Sequence, residues 1–485
     1  MCLTLRQMNP KAVVLSLTGL LMAACGGSEA QPGTATIDPA ATPSPTVHVD
    51  LSEEAFPDLI YWEGYVGWDY EPSRTQVELV RRAGESRDKT YLPYLLDLVS
   101  VPTPYREAVL PELSTWLGAE GDRSLINWLT EQGPKTADDD SLAYRQFKQR
   151  LFRTIQKEIG DFLDPDSDRL ISAQEIAWGG VCVDCIPPLE QPAFVTPLEA
   201  KQWIAASDPV VGVEINGDVR AYPQRIIAWH EMVNDVIGGV PVSLAYCTLC
   251  QSAILYETTV GDTVFDFGTS GMLYRSNKLM YDRQTRSLWE QWTGEPVWGE
   301  LVGSGIDLTI LPVVYTTWGE WLAEHPETMV LSINTGFTRD YGSGIAYGDY
   351  FDSNDVIFPI PYDMGALAPK HWVYAVRHNG DTIAFRIDHL AEAGFAEETV
   401  GGTEIVAFTS SDGIGARAYE RRDVAFVTFD PGKGTATSSD GRDWQLSEAA
   451  MTADDGETLP RLAGHNAYFF AVSNHAPNWR LWTAE

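Results

Sequence analysis

The chain reads as an α+β protein: a helical N-terminal region followed by a β-rich domain that is expected to be an internal duplication. Three observations lead there. Between Ser73 and Leu163 apolar residues recur at helical spacing, as in Phe147, Leu151, Ile155, Ile159 and Phe162. From Val210 onward the period changes to short alternating runs, with tight-hairpin signals at Asn216-Gly217 and Asn379-Gly380. Three segments then recur in the same order: 210–223 with 373–386, 243–257 with 405–420, and 311–331 more loosely with 459–482.

In chain order, residues 1–24 read as an export signal, with Arg6 and Lys11 ahead of the apolar run Ala12–Leu21. The run is too short to span a membrane. Met-Ala-Ala before Cys25 is similar to a bacterial lipoprotein box, so Cys25 is the expected lipidation site. Residues 25–50 are rich in Gly, Ser, Thr, Ala and Pro and form a flexible tether reaching roughly 25 Å. The expected location is the cell or outer membrane, lipid-anchored and facing the periplasm or exterior. The formal charge of −34 becomes −36 once Arg6 and Lys11 leave with the signal. Such a chain repels phosphate backbones and anionic lipid heads, which disfavours nucleic acid as a partner and leaves membrane attachment to the lipid.

Residues 51–177 form the helical region. Ser73 and Gln76 have the spacing of a capping box ahead of Val77, Val80 and Ala83, and one long helix is predicted from Ser141 to Leu163. The loop that follows, DPDSDRLISAQE, puts Asp164, Asp166, Asp168, Ser172 and Glu175 at the oxygen spacing of an EF-hand, so calcium is a candidate cofactor. Arg169 stands where that loop needs glycine for its sharp turn, and the competing reading is a solvated acidic turn.

Residues 178–340 are the first β-rich copy and carry the cysteine motifs; residues 341–485 are the second and carry none, with Thr409 and Asp412 near the places of Cys247 and Cys250. The pairs Cys182-Val-Asp-Cys185 and Cys247-Thr-Leu-Cys250 have the ligand count of a four-cysteine site for a transition metal (zinc, copper or iron). Strand-like residues on both sides of CTLC leave no helix N-terminus to acidify a thiol. Exported thiols also meet oxidants, so redox cycling and structural disulfides stay open beside metal binding. His230 is the candidate further ligand or general base, with Glu231 or Asp282 to orient it; HExxN lacks the second histidine of a zinc protease. Met280 beside Leu279 and Tyr281 reads as core rather than as a copper ligand.

HEMVND at 230–235, GGVPVSLAYCTLC at 238–250, FGTSGMLYRSNKLMYDRQTRSLWEQWTGE at 267–295 and FTRDYG at 337–342 resemble a prokaryotic family, the domain of unknown function numbered three-one-seven-nine. The resemblance covers most of 178–485 and supplies no reaction. It implies a Tyr-Cys-x-x-Cys motif like Tyr246–Cys250, whereas the cysteines of GGVCVDCIPPL depart from the pattern. Cys247 and Cys250 are therefore the expected active pair, with Cys182 and Cys185 tuning or protecting it. A reading from another class is a surface protein that stacks sugars or peptides on Trp289, Trp292, Trp298, Trp318 and Trp321 and uses cysteines only in disulfides.

Overall fold

A computed structural model describes residues 51–60, 71–118, 140–362 and 365–484. The signal, the tether and Cys25 lie outside the described residues. Among the described residues no helix is long and apolar enough to cross a membrane.

The N-terminal helices form as their caps dictate. Ser73 Oγ accepts from the Gln76 amide at 3.3 Å while Gln76 Oε1 accepts from the Ser73 amide at 2.8 Å, and the helix Arg74–Ser86 starts there. Helices Leu92–Ser100 and Arg106–Leu117 pack beside it through Val80, Leu95, Val109 and Leu113, all fully buried. The long helix expected over 141–163 is two helices, Leu142–Ile155 and Lys157–Asp161. They part at Gln156, whose backbone is extended and whose Oε1 accepts from the Val183 amide at 2.9 Å. A tertiary hydrogen bond has overridden helical periodicity. Gly160 permits the fold-back, because a Cβ there would sit 2.3 Å from Arg153 Cγ.

The acidic loop does not gather its oxygens. Ser172 Oγ donates to Asp140 at 2.6 Å, and the Glu175 carboxylate is held from two sides by Arg275, at 2.6 and 3.1 Å. Asp164 instead caps its own turn, accepting from the Asp166 amide at 3.1 Å. Of the expected calcium set Asp164, Asp166, Asp168, Ser172 and Glu175, the last two thus have oxygens engaged by Asp140 and Arg275.

The helices share their core with a five-stranded sheet ordered 176–178, 267–274, 277–282, 288–290 and 296–298. A second sheet runs 310–311, 252–257, 240–247, 232–237 and 189–190. The strands Val314–Thr317, Pro209–Ile215, Asp218–Pro223 and Met329–Leu331 lie side by side, the last parallel to its neighbour and the others antiparallel. Strands Gly464–Tyr468, Trp372–His378, Asp381–Arg386 and Trp479–Trp482 repeat that order and those directions. Both hairpins turn through Asn-Gly with positive φ, 51° and 81° in the first, 48° and 82° in the second. Asn216 Nδ2 donates to Gly238 O at 3.0 Å, and Asn379 Nδ2 to Gly401 O at 3.1 Å.

Register also places the counterparts of the thiols. The Tyr246 amide donates to Glu231 O at 2.9 Å as the Thr409 amide donates to Gly394 O at 3.0 Å, so Cys247 faces Ser410 and Cys250 faces Gly413 in this correspondence. Thr409 and Asp412 each lie one residue before those positions. The boundary at residue 340 does not separate two cores either: Cys247, Trp289, Tyr350, Val373 and Phe469 belong to one buried cluster.

Candidate functional site

Strands Val240–Cys247 and Ser252–Glu257 form a hairpin whose last pair is Cys247 with Ser252, leaving Thr248–Gln251 as the loop. A four-residue loop brings Cys250 back under Cys247, and the two free Sγ atoms stand 2.8 Å apart, 1% and 0% exposed. Cys250 is the better held of the two. Asn277 Nδ2 donates to its sulfur at 3.4 Å and also to Gln291 Oε1 at 2.9 Å, while Tyr350 OH donates to Leu249 O at 2.7 Å and pins the loop. Burial, and then the neighbouring Cys247, push the Cys250 pKa well above the ordinary thiol value, so Cys250 keeps its proton at neutral pH.

Cys247 opens into a cavity of about 60 Å³ that Glu231, Lys278 and Tyr347 also line. Glu231 ends the helix Gln224–His230 in the left-handed region, φ 56°, which turns its carboxylate toward Tyr347 OH at 2.9 Å. Lys278 lies on the strand Asn277–Asp282, is nearly fully buried and donates to Glu231 O. Burial lowers its pKa to about 8, against the favourable fields of Glu231 and the two thiols, so it is predominantly an ammonium at neutral pH. Tyr347 is held neutral by burial and by Glu231 and acts as a donor. The arrangement places the Cys247 sulfur in one cavity with the Lys278 ammonium, with the protonated Cys250 thiol 2.8 Å away.

His230 is one residue from this cluster and takes no part in it. Nδ1 donates to Pro187 O at 2.7 Å and Nε2 accepts from Tyr341 OH at 2.6 Å, so both nitrogens are used. Burial drops its pKa to about 4 and keeps the ring neutral. The ring of this expected ligand or general base is oriented by Pro187 and Tyr341 rather than by Glu231 or Asp282. Asp282 instead accepts from Trp289 Nε1 at 2.8 Å and from Thr285 in its own turn.

The four thiols do not form one centre. Cys182 and Cys185 are disulfide-bonded to each other, whereas Cys247 and Cys250 are free. Among the described residues, the group that brings three metal-type ligand atoms within 4.8 Å of one another is Glu324, His325 and Glu448. It could hold a metal ion, and nothing in the local sequence announces it because Glu448 comes from a distant loop. Arg417 already bridges the two carboxylates, 2.7 Å from Glu448 Oε1 through Nε. Met280 is core, fully buried. Trp289, Trp292, Trp298, Trp318 and Trp321 are at most 4% exposed, so the stacking platform expected of them is interior packing.

The family model described as "Protein of unknown function (DUF3179)" matches residues 183–479, more than half of the chain, and the chain belongs to that family. Comparison with curated proteins gave no match, and neither did comparison with solved structures.

Sequence reading found the thiols and missed Glu231 as a lining residue, Lys278 and Tyr347. The signal for Lys278 was present: a lysine in the strand NKLMYD, between residues whose alternation buries both faces, must be buried with a purpose or a partner.

Proposed function

We propose that this chain is a lipid-anchored extracytoplasmic thiol–disulfide oxidoreductase in which Cys247 attacks and Cys250 resolves. The observation that carries the reading is the 2.8 Å Sγ–Sγ separation, with Cys247 lining a cavity shared with Lys278. Two thiolates on one tetrahedral zinc, at about 2.3 Å from the ion, stand roughly 3.8 Å apart. The observed spacing suits bond formation between the sulfurs better than chelation, and His230 has no nitrogen to offer as a third ligand.

The chemistry follows from the neighbours. Cys247, in the same cavity as the Lys278 ammonium, attacks as the thiolate on a substrate disulfide, forms a mixed disulfide and releases one thiol. Cys250 then gives up its proton and attacks Cys247, releasing the second thiol and leaving Cys247–Cys250 oxidised. The protein loses two electrons and two protons, and the substrate gains them. The four strands that the two sheets have in common are read as copies of one ancestral unit, supported by their equal strand order and turn chemistry. The Cys25 lipid and the tether carry the body at the membrane surface, and Cys25→Ser should release it.

The test is intact-mass and peptide mapping of the protein in glutathione buffers of graded poise, with metal content measured on the same sample. The reading expects a reversible Cys247–Cys250 disulfide and no stoichiometric metal. Thiols that stay reduced in oxidised glutathione, with one metal per chain, would sink it.

A further inference from the structure

The proposed dithiol is sealed. Its sulfurs are at most 1% exposed and the adjoining cavity is about 60 Å³, room for small molecules and for no folded partner. Yet the wall of that cavity is built from the other cysteine motif. Gly179, Gly180 and Val181 on one side of the Cys182–Cys185 disulfide, and Ile186 on the other, line the same space as Cys247. Cys182 and Cys185 are themselves half-buried, more accessible than the fully buried Cys247 and Cys250.

The segment is seated in a defined way. The Gly179 amide donates to Gly271 O at 2.8 Å, the Asp184 amide to Thr269 O at 2.9 Å, and Asp184 Oδ2 accepts from Tyr281 OH at 2.7 Å. Gly271 has φ 79°, and a Cβ there would meet Val181 O at 2.6 Å, so the glycine lets the segment lie flat on its strand. Gly180, φ 83°, has open space around it and gives the chain a pivot just ahead of the pair, while Pro187 and Pro188 stiffen the exit.

We propose that Cys182–Cys185 is the exchange station of the enzyme, passing two electrons between the buried Cys247/Cys250 dithiol and partner proteins outside. The inference rests on the oxidoreductase reading above. In the step, the Cys247 thiolate attacks one sulfur of the Cys182–Cys185 disulfide; that S–S bond breaks and a mixed disulfide to Cys247 forms. The Cys250 thiol loses its proton and attacks Cys247, the mixed disulfide breaks, and the two leaving thiolates take up two protons. The products are an oxidised Cys247–Cys250 pair and a reduced Cys182/Cys185 pair, which an external protein disulfide reoxidises. The chain's own disulfide is the oxidant, so the step balances internally.

Two full-length double variants trap the intermediate: Cys250→Ser with Cys185→Ser, leaving Cys182 and Cys247, and Cys250→Ser with Cys182→Ser, leaving Cys185 and Cys247. After equilibration in oxidised glutathione, non-reducing peptide mapping should find an intramolecular disulfide to Cys247 in one of them; its absence from both overturns the relay. Independently, the Cys182→Ser/Cys185→Ser protein, checked by thermal melting for a wild-type fold, is reacted with dithiodipyridine and with insulin. The relay expects dithiodipyridine to oxidise Cys247/Cys250 at close to the wild-type rate and exchange with insulin to slow at least about tenfold. An unchanged insulin rate overturns the relay and leaves the oxidoreductase reading standing. Failure of dithiodipyridine to oxidise Cys247/Cys250 in the wild-type protein overturns the oxidoreductase reading itself, and the relay with it.

Discussion

The hairpins Val240–Glu257 and Thr403–Glu420 occupy equivalent places in the two halves and end in loops of opposite character. Around the first loop stand His230, Glu231, Cys247 and Cys250; around the second, in the same register, Ala393, Gly394, Ser410 and Gly413. The second loop closes by itself, with the Gly415 amide on Ser410 Oγ at 2.8 Å. Asp412 then pins it across the molecule, accepting from Thr316 Oγ1 at 2.6 Å and from the Thr317 amide at 2.9 Å. The second turn closes without cysteines, so closing such a turn does not itself require Cys247 and Cys250, and Asp412 ties the second loop to Thr316 and Thr317.

The strongest way to break this comparison is to exchange chemistry for scaffold. Cys247→Ser or Cys250→Ser should abolish reversible oxidation at this pair while leaving the fold, read by thermal melting, close to wild type. Ser410→Ala, at the equivalent place, should leave redox behaviour untouched. Redox cycling that survives Cys247→Ser would remove the asymmetry between the loops.

Next in size, Asp412→Ala should cost about 3 kcal/mol of stability in denaturant unfolding, because several buried donors lose a charged acceptor at once. Burial raises the Asp412 pKa, but hydrogen bonds from Ser410, Thr316 and backbone amides outweigh it and the net shift is downward. Its contribution is therefore present above the ordinary carboxylate range and lost as pH falls below it. The wild type should lose this increment on acidification and the variant should not.

Lys278→Met tests the electrostatics of the first loop. Removing the ammonium should slow alkylation of Cys247 by iodoacetamide at pH 7 by about tenfold, the size of a modest Coulombic effect in a buried site. Because the Lys278 pKa is lowered to about 8, the ammonium is present below that pH and lost above it. The gap between wild type and variant should close as pH rises past about 8; a gap that widens would show that Lys278 acts in another way.

The smallest effect concerns His230. Its folded pKa of about 4 lies below the unfolded value near 6.5, so between these the unfolded chain takes up a proton that the native ring refuses. Stability should fall as pH drops through that window. His230→Gln should be less stable at neutral pH, through two lost hydrogen bonds, but should show a pH 6.5-to-4.5 loss smaller by about 1 kcal/mol. An equal acid slope in both proteins would mean that His230 is not the group refusing the proton.

Much of the local structure was legible. Ser73 and Gln76 form their reciprocal cap, both Asn-Gly pairs turn hairpins, and CTLC lies between two strands as its flanks require. The splitting of the 141–163 helix was not, because the competing partner of Gln156 is Val183, 27 positions away. The role of His230 failed for the same reason: its partners lie 43 and 111 positions along the chain. The acidic loop matched a ligand spacing, but spacing does not say that Arg275 takes Glu175 from a hairpin turn 100 residues on.

By itself the sequence determined the class of elements, the order in which strand patterns recur, the acidity of the body and the pairing of Cys247 with Cys250, since each depends on residues within one turn or one hairpin. Only the tertiary structure decided what surrounds those sulfurs. Lys278 reaches Glu231 O across 47 positions and Tyr347 reaches its carboxylate across 116, and burial beside Cys247 shifts the titration of Lys278 and Tyr347. Charge state and access depend on desolvation and on groups brought together from separate strands, and neither is written in the spacing of neighbours.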